Sequence, residues 1–262
     1  MTKRLAQLIP ALAICLLLVA APRTVRADGK PVSYLLGMGF QFATGTYGTS
    51  TRTDTIVAPV SLAVNPTDRL GFSVTLPYVY QSNDGVLATL SQNGTQTATK
   101  QSQSGVGDLT LLGTYVLVPE KPHLPQVRAS VIVKVPTADK NKGLGTGEFD
   151  EGITVGLSKW FSKWYTFAEA GYTFQGKTSL YALRNYTTFN AGVGYQVSSR
   201  FRPTISVRGS TPMTDGSGYW VETNLDLFYL VARHTGIEGY VGTGLTAGSP
   251  DYGTGLSVYY EF

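Results

Sequence analysis

The sequence predicts an all-β protein, a transmembrane antiparallel β-barrel of about twelve strands. Two observations lead to this fold class. Residues 252–262 alternate an apolar face with a small or polar face, and the same alternation recurs along the chain. The connections between alternating segments are by turns short and long, which is typical of short periplasmic turns and longer extracellular loops. A soluble β-sandwich is the alternative, but it does not account for the alternating connection lengths.

The predicted strands are separated by turn-forming and polar segments. The strand segments are residues 32–45, 55–64, 69–81, 107–118, 126–135, 150–161, 164–175, 186–197, 200–210, 219–231, 236–247 and 252–262. Asn65-Pro66-Thr67-Asp68 provides one short turn with Pro and Asp in turn-favouring positions. Residues 82–104 are rich in Gln, Thr, Ser and Asn and are predicted to form a long loop. No apolar run after residue 27 reaches the ~18 residues of a spanning helix.

The N-terminus has the features of a secretory signal peptide. Lys3 and Arg4 precede an apolar stretch over residues 8–21, and Val25-Arg26-Ala27 provides a small-residue cleavage site. A membrane anchor is the alternative, but the apolar stretch is shorter than the ~20 residues that span a bilayer. The predicted organisation is therefore a signal peptide at residues 1–27 and a barrel at residues 28–262, located in the bacterial outer membrane.

Charge and cysteine content narrow the function classes. The chain has 21 basic and 17 acidic residues, but residues 1–27 contribute Lys3, Arg4, Arg23 and Arg26 and no acid. Without that segment the formal charge is neutral, so the basic excess does not indicate nucleic-acid binding. The single cysteine, Cys15, lies in the same segment. The barrel therefore has no disulfide, thiolate nucleophile or cysteine metal ligand, and no cofactor is predicted.

The polar faces of the strands predict which charged residues line the barrel lumen. Lys or Arg facing hydrocarbon at mid-depth would each cost ~2–4 kcal/mol, so the charged face is expected to point inward. The lumen-lining candidates are Asp108, Arg128, Lys134, Asp150, Glu169, Arg202, Arg208, Glu222, Asp226 and Glu238. These charges could line a hydrated path and set its selectivity, or pair with one another and fill the lumen.

Aromatic residues are predicted at two kinds of position. Trp160, Phe161, Trp164 and Tyr165 flank one short turn, as expected for an interfacial girdle. The lumenal face is predicted to carry Tyr165, Phe167, Trp220, Phe228, Tyr240 and Tyr259. Lumenal rings of this kind indicate either an apolar or aromatic ligand or packing against the many strand glycines.

Catalytic chemistry is not predicted. His123 and His234 lie in two predicted periplasmic turns, away from any inward serine, so a histidine-assisted nucleophile is not expected. Two histidines in separate turns also make a poor metal site. Residues 242–247 superficially match a dinucleotide-binding fingerprint, but no helix follows them.

Several short motifs resemble one bacterial family. They are Gly105-Val106-Gly107-Asp108-Leu109, Lys134-Val135-Pro136-Thr137, Asp150-Glu151-Gly152, Trp164-Tyr165 and Gly171-Tyr172. They resemble the outer-membrane barrel family named for the meta-pathway of phenol degradation, whose members are often labelled transporters, and the resemblance covers about residues 32–262. It implies a barrel that admits hydrophobic or aromatic growth substrates. Only Asp108 and Lys134 carry over from the matched motifs as candidates for a lumen function.

The predicted function is passive uptake of small solutes by an outer-membrane channel, with hydrophobic or aromatic compounds as one substrate class. The expected partners are outer-membrane lipid, a small-molecule solute and the outer-membrane assembly machinery, which reads a terminal aromatic residue such as Phe262. A monomer is expected. The alternative is a structural or surface-binding barrel with a closed lumen, in which residues 82–104 act as an adhesin or receptor site.

Overall fold

A computed structural model describes residues 32–82, 102–179 and 181–262 of the chain. The strands are β1 (Ser33–Gly45), β2 (Thr53–Asn65), β3 (Leu70–Gln81), β4 (Gln103–Val106), β5 (Leu109–Val118), β6 (Gln126–Val135), β7 (Asp150–Phe161), β8 (Trp164–Gln175), β9 (Tyr186–Tyr195), β10 (Phe201–Ser210), β11 (Trp220–Ala232), β12 (Thr235–Gly244) and β13 (Tyr252–Glu261). A 3-10 helix, Lys140–Lys142, interrupts the β6–β7 connection. Within the described ranges, no helix has the length and apolar character needed to cross a membrane. The predicted signal peptide and most of the predicted loop at 82–104 lie outside these ranges.

The strands form one closed antiparallel barrel. Strands that follow one another in the chain are paired, except for β4 and β5, and β1 also pairs with β13, which joins the two ends of the sheet. Both β4 and β5 pair with the same edge of β3, with Tyr78 opposite Val106 and Thr75 opposite Thr110. These two segments are therefore parts of a single barrel strand. The thirteen segments make a barrel of twelve strands, which confirms the predicted fold class.

The interruption between β4 and β5 lies beside Pro77 of β3. The Gly107 N–H donates a hydrogen bond to the Pro77 carbonyl oxygen at 2.8 Å. A Cβ atom on Gly107 would come within 2.9 Å of the Pro77 ring, so a glycine is needed for this close approach. The predicted strand at 107–118 is thus broken at its start. The described part of the predicted loop at 82–104 also ends in strand, because β4 continues the pairing with β3.

Burial alternates along the strands in the sense opposite to that of a water-soluble sheet. On β10, Ile205 is 58% exposed while its neighbour Ser206 is 6% exposed. The buried polar residues of the described chain are Thr53, Ser130, Asp150, Ser206, Ser210, Thr214, Glu222, Asn224 and Ser249. Apolar side chains therefore form the outer surface and polar side chains face the lumen, as a bilayer requires of a barrel wall.

The strand connections at one end of the barrel are mostly shorter than those at the other. At the first end they are residues 66–69, 119–125, 162–163, 196–200 and 233–234, none longer than seven residues. At the second end they are residues 46–52, 82–102, 136–149, 176–185, 211–219 and 245–251, none shorter than seven residues. We call these the periplasmic end and the extracellular end. The two chain ends of the barrel meet at the periplasmic end. There Tyr34 and Phe262 exchange backbone hydrogen bonds of 3.2 and 3.0 Å, and their rings stack with centroids 5.6 Å apart.

Candidate functional site in the barrel lumen

The charged candidates occupy the strand positions that alternate with the exposed apolar residues. On β10, Arg202 lies four positions before the buried Ser206 and Arg208 two positions after it, so the three share one face, whereas Ile205 and Val207 on the other face are exposed. The same alternation holds for the candidates on β6, β7, β8, β11 and β12. Asp108, in the break between β4 and β5, lies against a lumenal lysine. A role for the ten residues in solute passage stays a prediction.

Lys134 joins three segments at the extracellular end of the lumen. Its Nζ lies 2.6 Å from Asp150 Oδ2 and 3.5 Å from Asp108 Oδ2. The same Nζ donates to Thr146 Oγ1 at 3.0 Å, and the Ala138 N–H donates to Asp108 Oδ1 at 3.0 Å. The cluster therefore connects β6, β7 and the β4–β5 break with the connection that follows β6. Both carboxylates are largely buried, so the ammonium group balances much of their charge.

The β6–β7 connection, residues 136–149, packs against the lumenal side of the wall. Leu144 is 9% exposed, and a Cβ atom on Gly105 would come within 2.9 Å of its side chain. A Cβ atom on Gly145 would come within 2.7 Å of Asp108 Oδ2. Lys142 Nζ donates to the backbone carbonyl of β4 at 3.4 Å. This connection, named the β6–β7 loop below, therefore narrows the extracellular mouth beside β4 to β6.

Arg208 and Glu222 form an ion pair between β10 and β11. The Arg208 Nε and Nη2 atoms each lie 2.5 Å from Glu222 Oε1. Asn224 Nδ2 donates to the same oxygen at 3.1 Å. The Arg208 Cζ atom also lies 5.6 Å from the centroid of Trp220 and 5.9 Å from that of Tyr240. The charge of Arg208 is thus neutralised by a carboxylate that is itself buried.

Arg202 lies in a cluster of aromatic rings nearer the periplasmic end. Its Cζ atom is 5.2 Å from the ring centroid of Tyr165, 5.7 Å from Trp160 and 5.8 Å from Phe228. The Tyr165 ring also stacks on Phe167, with centroids 5.8 Å apart. None of the ion pairs found among the described residues involves Arg202. We call Arg202 with Trp160, Tyr165 and Phe228 the Arg202 cluster.

The position of Trp160 corrects the predicted aromatic girdle. Trp160 and Tyr165 are opposite partners in the β7–β8 hairpin, and so are Phe161 and Trp164. Successive pairs face opposite sides of a sheet, so the first pair reaches Arg202 while Phe161 and Trp164 are 57% and 51% exposed. The girdle assignment is therefore wrong for Trp160 and Tyr165. The alternation of faces along β7 predicts the inward position of Trp160, because Trp160 and the inward Asp150 are an even number of positions apart.

The remaining lumenal candidates have fewer contacts. Asp226 Oδ2 accepts a hydrogen bond from Ser206 Oγ at 3.2 Å. Glu238 is half-buried, and Arg128 is exposed near the periplasmic end. Glu169 shares its face with the inward rings of β8, yet it is exposed and lies mid-strand. The carboxylate of Glu169 is therefore accessible to solvent from the lumenal face.

The two histidines lie away from the lumenal clusters. His123 is in the β5–β6 connection and His234 in the β11–β12 turn, and both are exposed at the periplasmic end. Across the parts of the chain that the structure describes, no three His, Cys, Asp or Glu side chains gather as metal ligands.

The closed wall, apolar exterior and charged interior define a transmembrane β-barrel of the outer-membrane type. A family model described as "Putative MetA-pathway of phenol degradation" matches residues 22–262, and the chain belongs to this family. No curated protein matches the chain in sequence.

Solved structures of outer-membrane barrels share the fold. The COG4313 outer membrane channel from Pseudomonas putida F1 has 17% sequence identity and a TM-score of 0.67, over 93% of this chain and 97% of that one. The NanC porin has 10% identity and a TM-score of 0.54, over 86% and 98% of the two chains. The KdgM porin, solved with disordered oligogalacturonate, has 10% identity and a TM-score of 0.52, over 88% and 99%. At these identities the likeness extends to the fold alone.

Proposed function

We propose that this protein is an outer-membrane channel for the passive uptake of small solutes, with hydrophobic or aromatic compounds as its substrate class. The bacterial outer membrane is the location of such a barrel, because a closed sheet satisfies every backbone group of its wall within lipid. The observation that carries the proposal is the solvent-exposed Glu169 on the lumenal face at mid-depth. A lumen filled completely by paired side chains would bury that carboxylate.

The proposed substrate class rests on the rings that face the interior. The Arg202 cluster and the pair formed by Trp220 and Tyr240 place flat apolar surfaces along the lumen. Such rings pack favourably against another aromatic ring in offset or edge-to-face arrangements. The family description, which refers to phenol degradation, agrees with this class of solute.

A catalytic role is not part of the proposal. The exposed positions of His123 and His234 at the periplasmic end separate them from the inward serines of the wall. The solved barrel from Pseudomonas putida F1 is an outer membrane channel, and a channel function for this chain needs no reacting group.

A second candidate function is a surface-binding barrel with a closed lumen. It is favoured by the β6–β7 loop, which the Lys134 cluster holds against the extracellular mouth. In that case residues 82–104 would form the adhesin or receptor site. Deleting residues 84–100 discriminates between the candidates, because loss of surface binding with unchanged permeability would favour the surface role.

Planar-bilayer recording and whole-cell uptake test the channel together. Purified barrel should give stepwise ion conductance, and its expression in a porin-deficient Gram-negative host should raise the initial uptake rate of radiolabelled phenol. Host cells that express a folded barrel without a channel provide the control. A correctly folded protein that passes neither ions nor phenol would contradict the proposed function.

A further inference from the structure

The two lumenal arginines of β10 differ in how their charge is balanced. Arg208 is paired with Glu222, which accepts from both its Nε and Nη2 atoms. Arg202 has aromatic partners in place of a carboxylate: no carboxylate oxygen of the described chain lies within 4.0 Å of its guanidinium nitrogens. The Arg202 guanidinium is therefore a positive charge without a counter-ion of its own inside the barrel.

One hydrogen-bond donor of Arg202 is also without a partner. Its Nε atom is buried and has no hydrogen-bond partner among the described residues. Ring faces attract a guanidinium through their electron density, but they do not replace N–H···O hydrogen bonds. A buried donor without an acceptor is costly, so an acceptor that reaches this group would bind favourably.

Two inward acids lie on the strands that follow β10, and neither of them pairs with Arg202. Asp226 on β11 accepts a hydrogen bond from Ser206 Oγ at 3.2 Å, and Glu238 on β12 is half-buried. None of the ion pairs of the described chain joins either carboxylate to the Arg202 guanidinium. A ligand that brings its own anion would supply both the missing charge and the missing acceptor.

We propose that the Arg202 cluster is a binding site for aromatic carboxylates, with the carboxylate on the Arg202 guanidinium and the ring against Trp160, Tyr165 and Phe228. This proposal rests on the proposed channel function and specifies one class of its solutes. A guanidinium matches a carboxylate with two parallel N–H···O bonds, which an alcohol or a neutral phenol cannot provide. The rings would select an aromatic acid over acetate through the apolar surface they cover.

Equilibrium binding measured by fluorine NMR tests the site without requiring conductance. The purified barrel in detergent micelles is titrated with 4-fluorobenzoate and with 4-fluorobenzyl alcohol, and empty micelles provide the blank. Acetate is added as a competitor. We expect saturable binding of the benzoate, weaker binding of the alcohol, and little displacement by acetate.

Variants then assign the binding to the cluster. Arg202→Gln should weaken 4-fluorobenzoate binding about tenfold or more, as expected for loss of a hydrogen bond to a charged group. Arg128→Gln is the matched control, because it removes an inward positive charge near the same end whose contact is a hydrogen bond to Gln126 at 3.2 Å. It should change the affinity less than about twofold. Arg202→Lys keeps the charge but loses the paired donors, and should give an intermediate affinity.

Two results would overturn the proposal. One is benzoate binding that Arg202→Gln leaves unchanged. The other is an equal loss of benzoate affinity in Arg202→Gln and Arg128→Gln. That result would mean that binding depends on the overall electrostatic potential of the lumen and not on the Arg202 cluster. Loss of heat-modifiable gel mobility would show that Arg202→Gln does not fold. In that case the benzoate affinities of Arg202→Lys and Arg128→Gln are compared, and an equal loss in these two variants would overturn the proposal.

The outcome is separable from that of the channel function. A barrel that conducts ions and passes phenol, yet binds benzoate independently of Arg202, keeps the channel function and refutes the site. A barrel that passes no solute but binds benzoate through Arg202 keeps the site and refutes the channel.

Discussion

Lys134 shows how one residue can hold the extracellular end of the lumen together. A single ammonium group serves the carboxylates of Asp108 and Asp150 and a hydroxyl of the β6–β7 loop. Removing one partner of a buried pair is more costly than replacing all partners by apolar groups, because a buried charge is left without compensation.

We therefore expect Lys134→Met to lower the free energy of unfolding by about 3 kcal/mol, since two carboxylates would then face each other. Urea unfolding in detergent micelles, followed by tryptophan fluorescence, measures the change. Lys163→Met in the exposed β7–β8 turn is the control and should leave the midpoint nearly unchanged. Adding Asp108→Asn and Asp150→Asn to Lys134→Met should recover part of the loss. Equal effects of the two lysine variants would contradict this account.

At the residue scale, the alternation of faces was sufficient to predict which side chains point inward but insufficient to predict which of them meet. Arg208 meets Glu222 because the register of β10 against β11 places them opposite each other, and the faces of the two separate strands do not specify that register. The inward position of Trp160 follows from its place in the alternation of β7, and its closeness to the β7–β8 turn does not by itself indicate an interfacial position.

At the scale of strands and loops, the break between β4 and β5 is the main departure from a regular wall. Pro77 removes one donor and its ring crowds the adjacent chain, so Gly107 approaches where a larger residue would not fit. The four residues of β4 escaped prediction because Gln103 and Ser104 continue the polar composition of the preceding segment. Their strand conformation depends on pairing with β3, which composition does not indicate.

A methyl group at the break should strain the wall. Gly107→Ala places a Cβ atom 2.9 Å from the Pro77 ring and 3.1 Å from Val79, and overpacking of this kind costs about 1–3 kcal/mol. Gly113→Ala on β5 is the control, because its new Cβ atom would meet only the Phe72 ring at 3.7 Å. Thermal unfolding by circular dichroism should show a lower midpoint for Gly107→Ala. A lower midpoint for Gly113→Ala alone would contradict the argument.

The β6–β7 loop gives a second test at this scale. Leu144→Ser should weaken the packing of the β6–β7 loop against the lumenal side of β4, because it replaces a buried apolar side chain with a polar one. We expect a larger or more frequently fluctuating single-channel conductance. Leu124→Ser, at a residue 48% exposed at the periplasmic end, is the control. Unchanged conductance in Leu144→Ser would mean that the loop does not limit the current.

At the scale of the whole barrel, the charged candidates set the field along the lumen. Six of the ten are acids and four are bases, so these ten positions together carry a formal charge of −2. Two of the bases, Lys134 and Arg208, are already paired with acids. A negative lining attracts cations and favours their passage.

The expected result is cation selectivity that depends on Glu169. In a potassium chloride gradient the reversal potential should indicate preference for potassium, and Glu169→Lys should shift it toward chloride. Glu151→Lys on β7 is the control, because Glu151 lies on the outward-facing register and is exposed near the extracellular end. A shift of the same size in both variants would show that the selectivity arises outside the lumen.

The contact between Tyr34 and Phe262 has a consequence for how the barrel forms. Every other neighbouring pair of strands joins segments that are closer in sequence, whereas β1 pairs with β13, the last of the described strands. Until β13 is in place, one edge of β1 is an open template for other strands. Contacts of such long sequence separation are slow to form, so closure of this seam is expected to limit the folding rate. Variants of the seam should consequently delay refolding more than equally destabilising changes within a single hairpin.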